Sequence, residues 1–237
     1  MMWLRNHMLL VQAEQVMQTI DLSKIQDYKD YWNSIKPSTD EEYFWRWVFS
    51  FLSVHTTWAA NVAGYNALRN NYALWKDDKE ILNKLIIESR VGLHQRRTEG
   101  IWSFKVSFFE DPESWKKKED ETWVECRDRL AARCNGLGLA KTAFALEMCY
   151  PNDNESVCLD THMLQLYGYK TASEKHKATG YKLYSLMEKH WNALCKATGM
   201  SSYIGRALFW DTKQNKSDSR YWSYVFEETT TTVGGIE

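Results

Sequence analysis

The residues whose types and spacing suit chemistry lie between Cys134 and His162, in the run CNGLGLAKTAFALEMCYPNDNESVCLDTH. Gly136 and Gly138 bracket a single leucine, which suits a tight turn where φ is positive and the chain must approach another molecule closely. The stretch Asn135-Gly136-Leu137-Gly138-Leu139-Ala140 opens a helix, a polar loop closed by Pro151 follows, and Asp160-Thr161-His162 starts another helix. A helix N-terminus presents unpaired backbone N–H groups and the positive end of a dipole, and so favours a phosphate. Lys141 stands just inside the first of these helices, and Asp160 follows it by 160 − 141 = 19 positions. A phosphate seat, an amine and a carboxylate in one short segment are the makings of a nucleic-acid enzyme.

Three motifs in order carry a resemblance to a known family. The G-x-G turn followed by Lys141-Thr142-Ala143, and then Val157-x-x-Asp160-Thr161-His162, resembles the helix-hairpin-helix core of the DNA glycosylase superfamily of endonuclease III and the 8-oxoguanine glycosylases. Upstream, Phe51-Leu52-Ser53-Val54-His55-Thr56-Thr57 resembles the family segment that enters DNA near the flipped base. The run Gly92-Leu93-His94-Gln95-Arg96-Arg97-Thr98-Glu99-Gly100-Ile101 resembles the family's G-L-x-x-x-K-A-x-x-I helix start. The matches span residues 43–170 in family order. One feature departs from the pattern. The lyase members place their lysine two positions after the second glycine, where this chain has Ala140, and Lys141 comes one position later. Either the hairpin carries an extra residue or Lys141 is not the family's nucleophile.

The resemblance implies an enzyme that flips a damaged or modified base out of double-stranded DNA and breaks its N-glycosidic bond. Asp160 then stabilises the oxocarbenium-like state or activates the attacking nucleophile, and it also caps the helix that begins at Thr161. Lys141 is either a neutral amine that attacks C1′ and forms a Schiff base, or a lysine that contacts phosphate or solvent. Gly136, Leu137, Gly138, Leu139, Ala140 and Thr142 would hold a backbone phosphate through main-chain N–H groups, which positions the DNA without reading its sequence. His55, followed by Thr56, occupies the place where relatives fill the gap left by the flipped base; the alternative is a capping or core histidine. His162 reads as a structural helix residue. Trp45, Trp58, Trp102 and Trp210 are candidates to stack on an extruded base. Two rival readings stay open. One is an enzyme on the same scaffold that modifies thymine derivatives in hypermodified viral DNA and leaves the glycosidic bond intact. The other is a DNA-binding module without catalysis.

The elements that must position these residues are helices. The 237 residues include only 3 Pro and 11 Gly, and 14% are aromatic with 12 Trp, which points to an all-α chain with a bulky core. Ile25, Tyr28, Trp32 and Ile35 space a helix over 20–35, which Pro37 ends. Ser38-Thr39-Asp40-Glu41 has capping-box spacing and starts a helix buried through Tyr43, Phe44, Trp47, Val48 and Phe51. Thr56 or Thr57 caps the next helix, to about Arg69, and further helices are expected over 81–89, 95–109, 120–134, from Asp160 to Tyr167, from Glu174 or later to Lys196, and over 202–213. The expected architecture is two helical lobes with a DNA-binding cleft between them, lined by the hairpin and Asp160. Residues 1–53 and 170–226 form one lobe, 54–169 the other with the hairpin over 134–150, and 227–237 form a frayed tail.

The net charge of −1 gives no general basic field for DNA. Local fields are expected at Arg90, Arg96, Arg97 and Lys105, and at Lys116-Lys117-Lys118. The five cysteines are odd in number and contain no C-x-x-C, so neither zinc nor a disulfide framework is expected. No cysteine follows Cys195, so the iron–sulfur cluster of the endonuclease III branch is not expected either. Reduced thiols and the lack of a membrane-length apolar run suggest an intracellular protein, cytoplasmic or nucleoid-associated. It is expected to act as a monomer, without cofactor or metal.

Overall fold

Helix-forming spacing and well-placed caps organise the chain. A computed structural model describes residues 11–171, 173–175, 180–214 and 224–226. The helices are α1 (11–17), α2 (Ile25–Ser34), α3 (Asp40–Leu52), α4 (Trp58–Asn70), α5 (Tyr72–Trp75), α6 (Lys79–Glu88), α7 (His94–Glu110), α8 (Trp123–Arg133), α9 (Leu139–Cys149), α10 (Thr161–Leu166), α11 (173–175), α12 (Tyr181–Ala197) and α13 (Ser202–Gln214). Short 3-10 turns stand at Leu22–Lys24, Pro112–Trp115 and Tyr224–Phe226. No strand occurs among the described residues, and the chain is all-α as its composition implied. The helices expected from sequence fall close to their spans, while α1 and α5 lie outside every expected span. One cap differs: Thr39, not Ser38, is the N-cap of α3, and its box partner is Glu42.

The chain divides into two units, residues 1–36 with 150–221 and residues 37–149 with 222–237. The breaks therefore fall at 36/37 and 149/150, whereas the sequence reading put them near 53 and 169; the whole of α3 belongs with the hairpin, and α10 with α12 and α13. The expected frayed tail lies outside the described residues.

In the hairpin-bearing unit α3 is the central element. All ten residues from Tyr43 to Leu52 are buried, the polar Arg46 and Ser50 among them, so the helix is enclosed around its whole circumference. It packs on α4, α7 and α9. Phe104 of α7 lies 5.5 Å from Phe44, 5.3 Å from Trp47 and 4.7 Å from Trp115, centroid to centroid. Burying each such side chain contributes about 1.5–3 kcal/mol. The Tyr224–Phe226 turn returns to this core: Phe226 lies 5.1 Å from Phe49 and carries the Arg46 guanidinium 3.7 Å over its ring.

The other unit is built on α2, α12 and α13. Tyr28 of α2 donates to Asp211 of α13, Trp32 meets Tyr203 edge-on at 4.7 Å, and Trp191 Nε1 donates to Ser202 O at 3.0 Å. The polar loop from Tyr150 to Leu159 is fixed to this frame. Ser201 Oγ donates to Pro151 O (2.7 Å), Ser202 Oγ to Asn154 O (2.9 Å), and Glu188 Oε1 accepts from Val157 N (2.9 Å). Tyr184 Oη donates to Val157 O and accepts from Leu159 N. This loop delivers Asp160.

Candidate active site and nucleic-acid interface

The hairpin is the five-residue connection Cys134–Gly138 between α8 and α9. Gly136 has φ +99°, a conformation that favours glycine. Gly138 differs from it: it is exposed, lacks a positive φ, and a Cβ built there meets nothing within 4 Å. The protein's own packing gives no reason for a glycine at 138. The first intrahelical bonds run from the amides of Lys141 (3.1 Å) and Thr142 (3.0 Å) to Gly138 O, so the amides of Leu139 and Ala140 lie ahead of the ladder. Ser50 Oγ donates to Lys141 O at 2.6 Å and pins this first turn to α3. Leu137 and Thr142 are buried, and Thr142 Oγ1 finds no hydrogen-bond partner among the described residues. Lys141 is half-buried, its Nζ 5.1 Å from the Phe144 ring centre.

The two upstream motifs lie beside the hairpin in the same unit. A Cβ on Gly100 of α7 would fall 2.6 Å from Asn135 O and 2.9 Å from Phe51 Cε1, so Gly100 is the gap that admits the hairpin. A Cβ on Gly136 would lie 3.7 Å from Arg96 O. His55 is exposed with φ +49°, in the turn between α3 and α4, while Thr57, not Thr56, caps α4 by accepting from Ala60 N. His55 is thus neither a cap nor a core residue.

The expected basic cluster is reduced. Arg90 and Arg96 are exposed, but Arg97 is buried, and Lys105 donates to Lys76 O with its Nζ 4.4 Å above the Trp102 ring. Lys116 of the second cluster is paired with Asp40 (2.8 Å) and Glu113 (2.5 Å). Of the tryptophan candidates, Trp45 is core, at 2% exposure, and Trp58 stands 38% exposed at the start of α4.

Asp160, in the other unit, is held at both oxygens. Its Oδ1 accepts from His162 N (2.9 Å) and Met163 N (3.0 Å), as the N-cap of α10. Its Oδ2 accepts from Trp210 Nε1 (3.1 Å) and stands 3.6 Å from the Arg206 guanidinium. The side chain keeps 14% exposure. The geometry is that of a carboxylate fixed in orientation and still partly exposed, which could stabilise a cation or accept a proton. His162 meets the Trp210 ring edge-on at 4.7 Å, consistent with a packing role. Sequence reasoning missed Arg206 and reached Trp210 only as a stacking candidate. The signal that could have found them is their i, i+4 spacing on one face of α13. Among the described residues no cluster of His, Cys, Asp and Glu could hold a metal, and no helix is long and apolar enough to cross a membrane.

No family model and no curated protein matches the chain. Solved structures do. The 8-oxoguanine DNA glycosylase of Methanocaldococcus jannaschii is 17% identical, with a TM-score of 0.70 over 90% of this chain and 98% of that one. The same organism's 8-oxoguanine glycosylase/lyase, in complex with a 15mer DNA containing 8-oxoguanine, is 17% identical with a TM-score of 0.66 over 88% and 98%. The 8-oxoguanine DNA glycosylase of Thermotoga maritima is 16% identical with a TM-score of 0.62 over 87% and 99%. The chain has the fold of the 8-oxoguanine DNA glycosylases.

Proposed function

We propose that this protein is a DNA glycosylase, acting as a monomer, that hydrolyses the N-glycosidic bond of a damaged or modified base flipped out of duplex DNA. The observation that carries this reading is the double restraint on Asp160, both of whose oxygens accept N–H donors while the side chain stays partly exposed. A carboxylate so oriented opposes the positive charge that grows on C1′ and the ring oxygen as the base departs. Water is the nucleophile and gives up its proton to Asp160 as it attacks C1′. The exposed Gly138 turn and the α9 amides that follow it suit a backbone phosphate.

Lys141 is not the nucleophile in this reading. α9 runs regularly from Leu139, directly after the second glycine, which supports the glycines as what sets the register. Base removal therefore leaves the strand intact.

The test is a panel of duplex oligonucleotides, each with one lesion or modified base, scored for free base and for abasic sites with and without alkali. Free base with strand breaks only after alkali is the expected result. Borohydride should trap no protein–DNA adduct; an adduct that disappears in Lys141→Ala would make the enzyme a lyase. A changed base mass without base release would instead identify an enzyme that modifies thymine derivatives.

A further inference from the structure

The segment that leads to Asp160 is buried although it belongs to no helix or strand. Ser156, Val157, Cys158 and Leu159 are each at most 2% exposed. A connecting segment ordinarily runs over the surface, because buried main-chain N–H and C=O groups need partners that a loop does not supply. Its own main-chain bonds are short turns, Leu159 N to Val157 O (3.0 Å) and Asp160 N to Cys158 O (2.9 Å).

One stripe of α12 supplies further partners. Asn192 Nδ2 donates to Glu155 O (2.5 Å), and Glu188 Oε1 accepts from Val157 N (2.9 Å). Tyr184 Oη accepts from Leu159 N (3.3 Å) and donates to Val157 O. The three side chains stand at i, i+4 and i+8 on one face of the helix. Their partners fall on alternate residues, 155, 157 and 159, taken in the opposite order. The spacings match, since four residues advance a helix by about 6 Å and two residues of open chain span about 6–7 Å. Side chains of a helix thus stand in for the neighbouring strand that the segment lacks. Tyr184 and Glu188 are themselves buried, and α12 lies beyond residues 43–170, which carry the resemblance.

We propose, on the glycosylase reading above, that this stripe is a ruler: Tyr184, Glu188 and Asn192 are positioning residues that set where Asp160 stands relative to the cationic sugar. The α10 cap and Trp210 orient the carboxylate; the ruler fixes the backbone from which it projects. The rung from Tyr184 to Leu159 adjoins Asp160 and matters most. The rung from Asn192 to Glu155 is exposed and farthest from Asp160, and matters least.

The experiment uses the full chain and two duplexes of one sequence. One carries a pyrrolidine nucleotide, whose protonated ring imitates the cationic sugar; the other carries an uncharged tetrahydrofuran abasic site of the same shape. The ratio of the two affinities reads the placement of the carboxylate whatever base the enzyme removes. Loss of folded protein lowers both affinities alike and cancels. Wild type should prefer the pyrrolidine duplex by about tenfold or more, and Asp160→Asn should lose that preference. Tyr184→Phe should keep the tetrahydrofuran affinity within about threefold yet cut the ratio by about fivefold or more, and Asn192→Ala should cut it by less than about twofold. An unchanged ratio in Tyr184→Phe, or a larger cut by Asn192→Ala than by Tyr184→Phe, overturns the ruler. In the free protein the Leu159 amide should exchange about tenfold faster in Tyr184→Phe than in wild type, relative to α12 amides 191–195; equal rates overturn the rung.

A second variant leaves the core untouched and decides if Tyr184→Phe does not fold. One glycine is inserted between Asn152 and exposed Asp153, upstream of every rung. The loop absorbs it, and the ratio should stay within about twofold of wild type. A collapsed ratio would show that the loop, not α12, sets the position of Asp160, and overturns the proposal. A wild type that binds the two duplexes alike, or binds neither, fails the glycosylase reading, and the role of the ruler falls with it. A wild type that discriminates through Asp160 while Tyr184→Phe does so equally well overturns the ruler alone.

Discussion

Asp160 is legible in the sequence because V-x-x-D-T-H places an acid at a helix start, and its cap role and its proposed chemistry use the same oxygens. Asp160→Asn should abolish base release while DNA affinity stays near wild type; Tm should fall, since the amide oxygen still caps α10 but its NH2 faces the Trp210 N–H and the buried Arg206 guanidinium. Retained activity would remove this carboxylate from the mechanism. Trp210→Phe tests the other oxygen. It deletes one hydrogen bond to a charged group, about 1.5–3 kcal/mol, so kcat should fall by roughly 10- to 100-fold with KM little changed. An unchanged kcat would show that the cap alone orients Asp160. Arg206 and Trp210 stand 46 and 50 residues beyond Asp160, so their shared face on α13 is legible in the sequence but its pairing with Asp160 is not. Arg97 escaped for a different reason. It is buried, its guanidinium spent on the main-chain carbonyls of Phe51, Leu52, Val54, Val91 and Gly92, and carbonyls are carried by every residue, so in sequence it reads like one more basic residue on a surface.

At the scale of elements, helix spacing and polar caps were almost fully legible, and the errors are instructive. Two overlapping boxes were available at the start of α3, Ser38 with Glu41 and Thr39 with Glu42. Packing chose the second, and Glu42 also accepts from the Ser38 amide (2.7 Å). The hairpin shows the same limit, because G-x-G does not say which glycine the turn needs and which is left exposed. Gly136→Ala should lower Tm, by about 1–2 kcal/mol of stability, since alanine is strained at φ +99°. Gly138→Ala should leave Tm unchanged within about 0.5 kcal/mol yet weaken duplex binding. Equal binding by Gly138→Ala and wild type would show that no phosphate approaches this backbone.

The entry to α8 makes a further prediction. Arg129 grips Glu121 with both ends of its fork, at 2.6 and 2.9 Å, and holds its carboxyl down to about 2. A carboxyl depressed by folding stabilises fully above its ordinary value near 4.5, and the contribution is lost as pH falls toward 2. Acid melting should show a loss of roughly 2 kcal/mol across that window, and Glu121→Gln should flatten it.

For the whole molecule the net charge is −1, and the two expected basic clusters are thinned by two tied-up lysines and a buried arginine. Duplex affinity should therefore fall with salt on a shallow slope, equivalent to about two to four phosphate contacts. A steep slope would point to a basic surface elsewhere. The division into units was the least legible feature. Helix periodicity says which face of α3 or α10 is apolar, but α3 is buried all round and so does not indicate its neighbours, and the breaks at 36/37 and 149/150 follow from those neighbours.

The return of the chain to each unit also sets a timetable for synthesis. Tyr28 emerges from the ribosome 183 residues before Asp211, its partner. At about 5–20 residues per second it waits roughly 10–40 s for that partner. In the interval residues 37–149 are complete but for the Phe226 turn, so the unit begun second is the first able to fold. Until then Trp32 and its neighbours on α2 are nascent apolar surface, the part of this protein that a chaperone would meet.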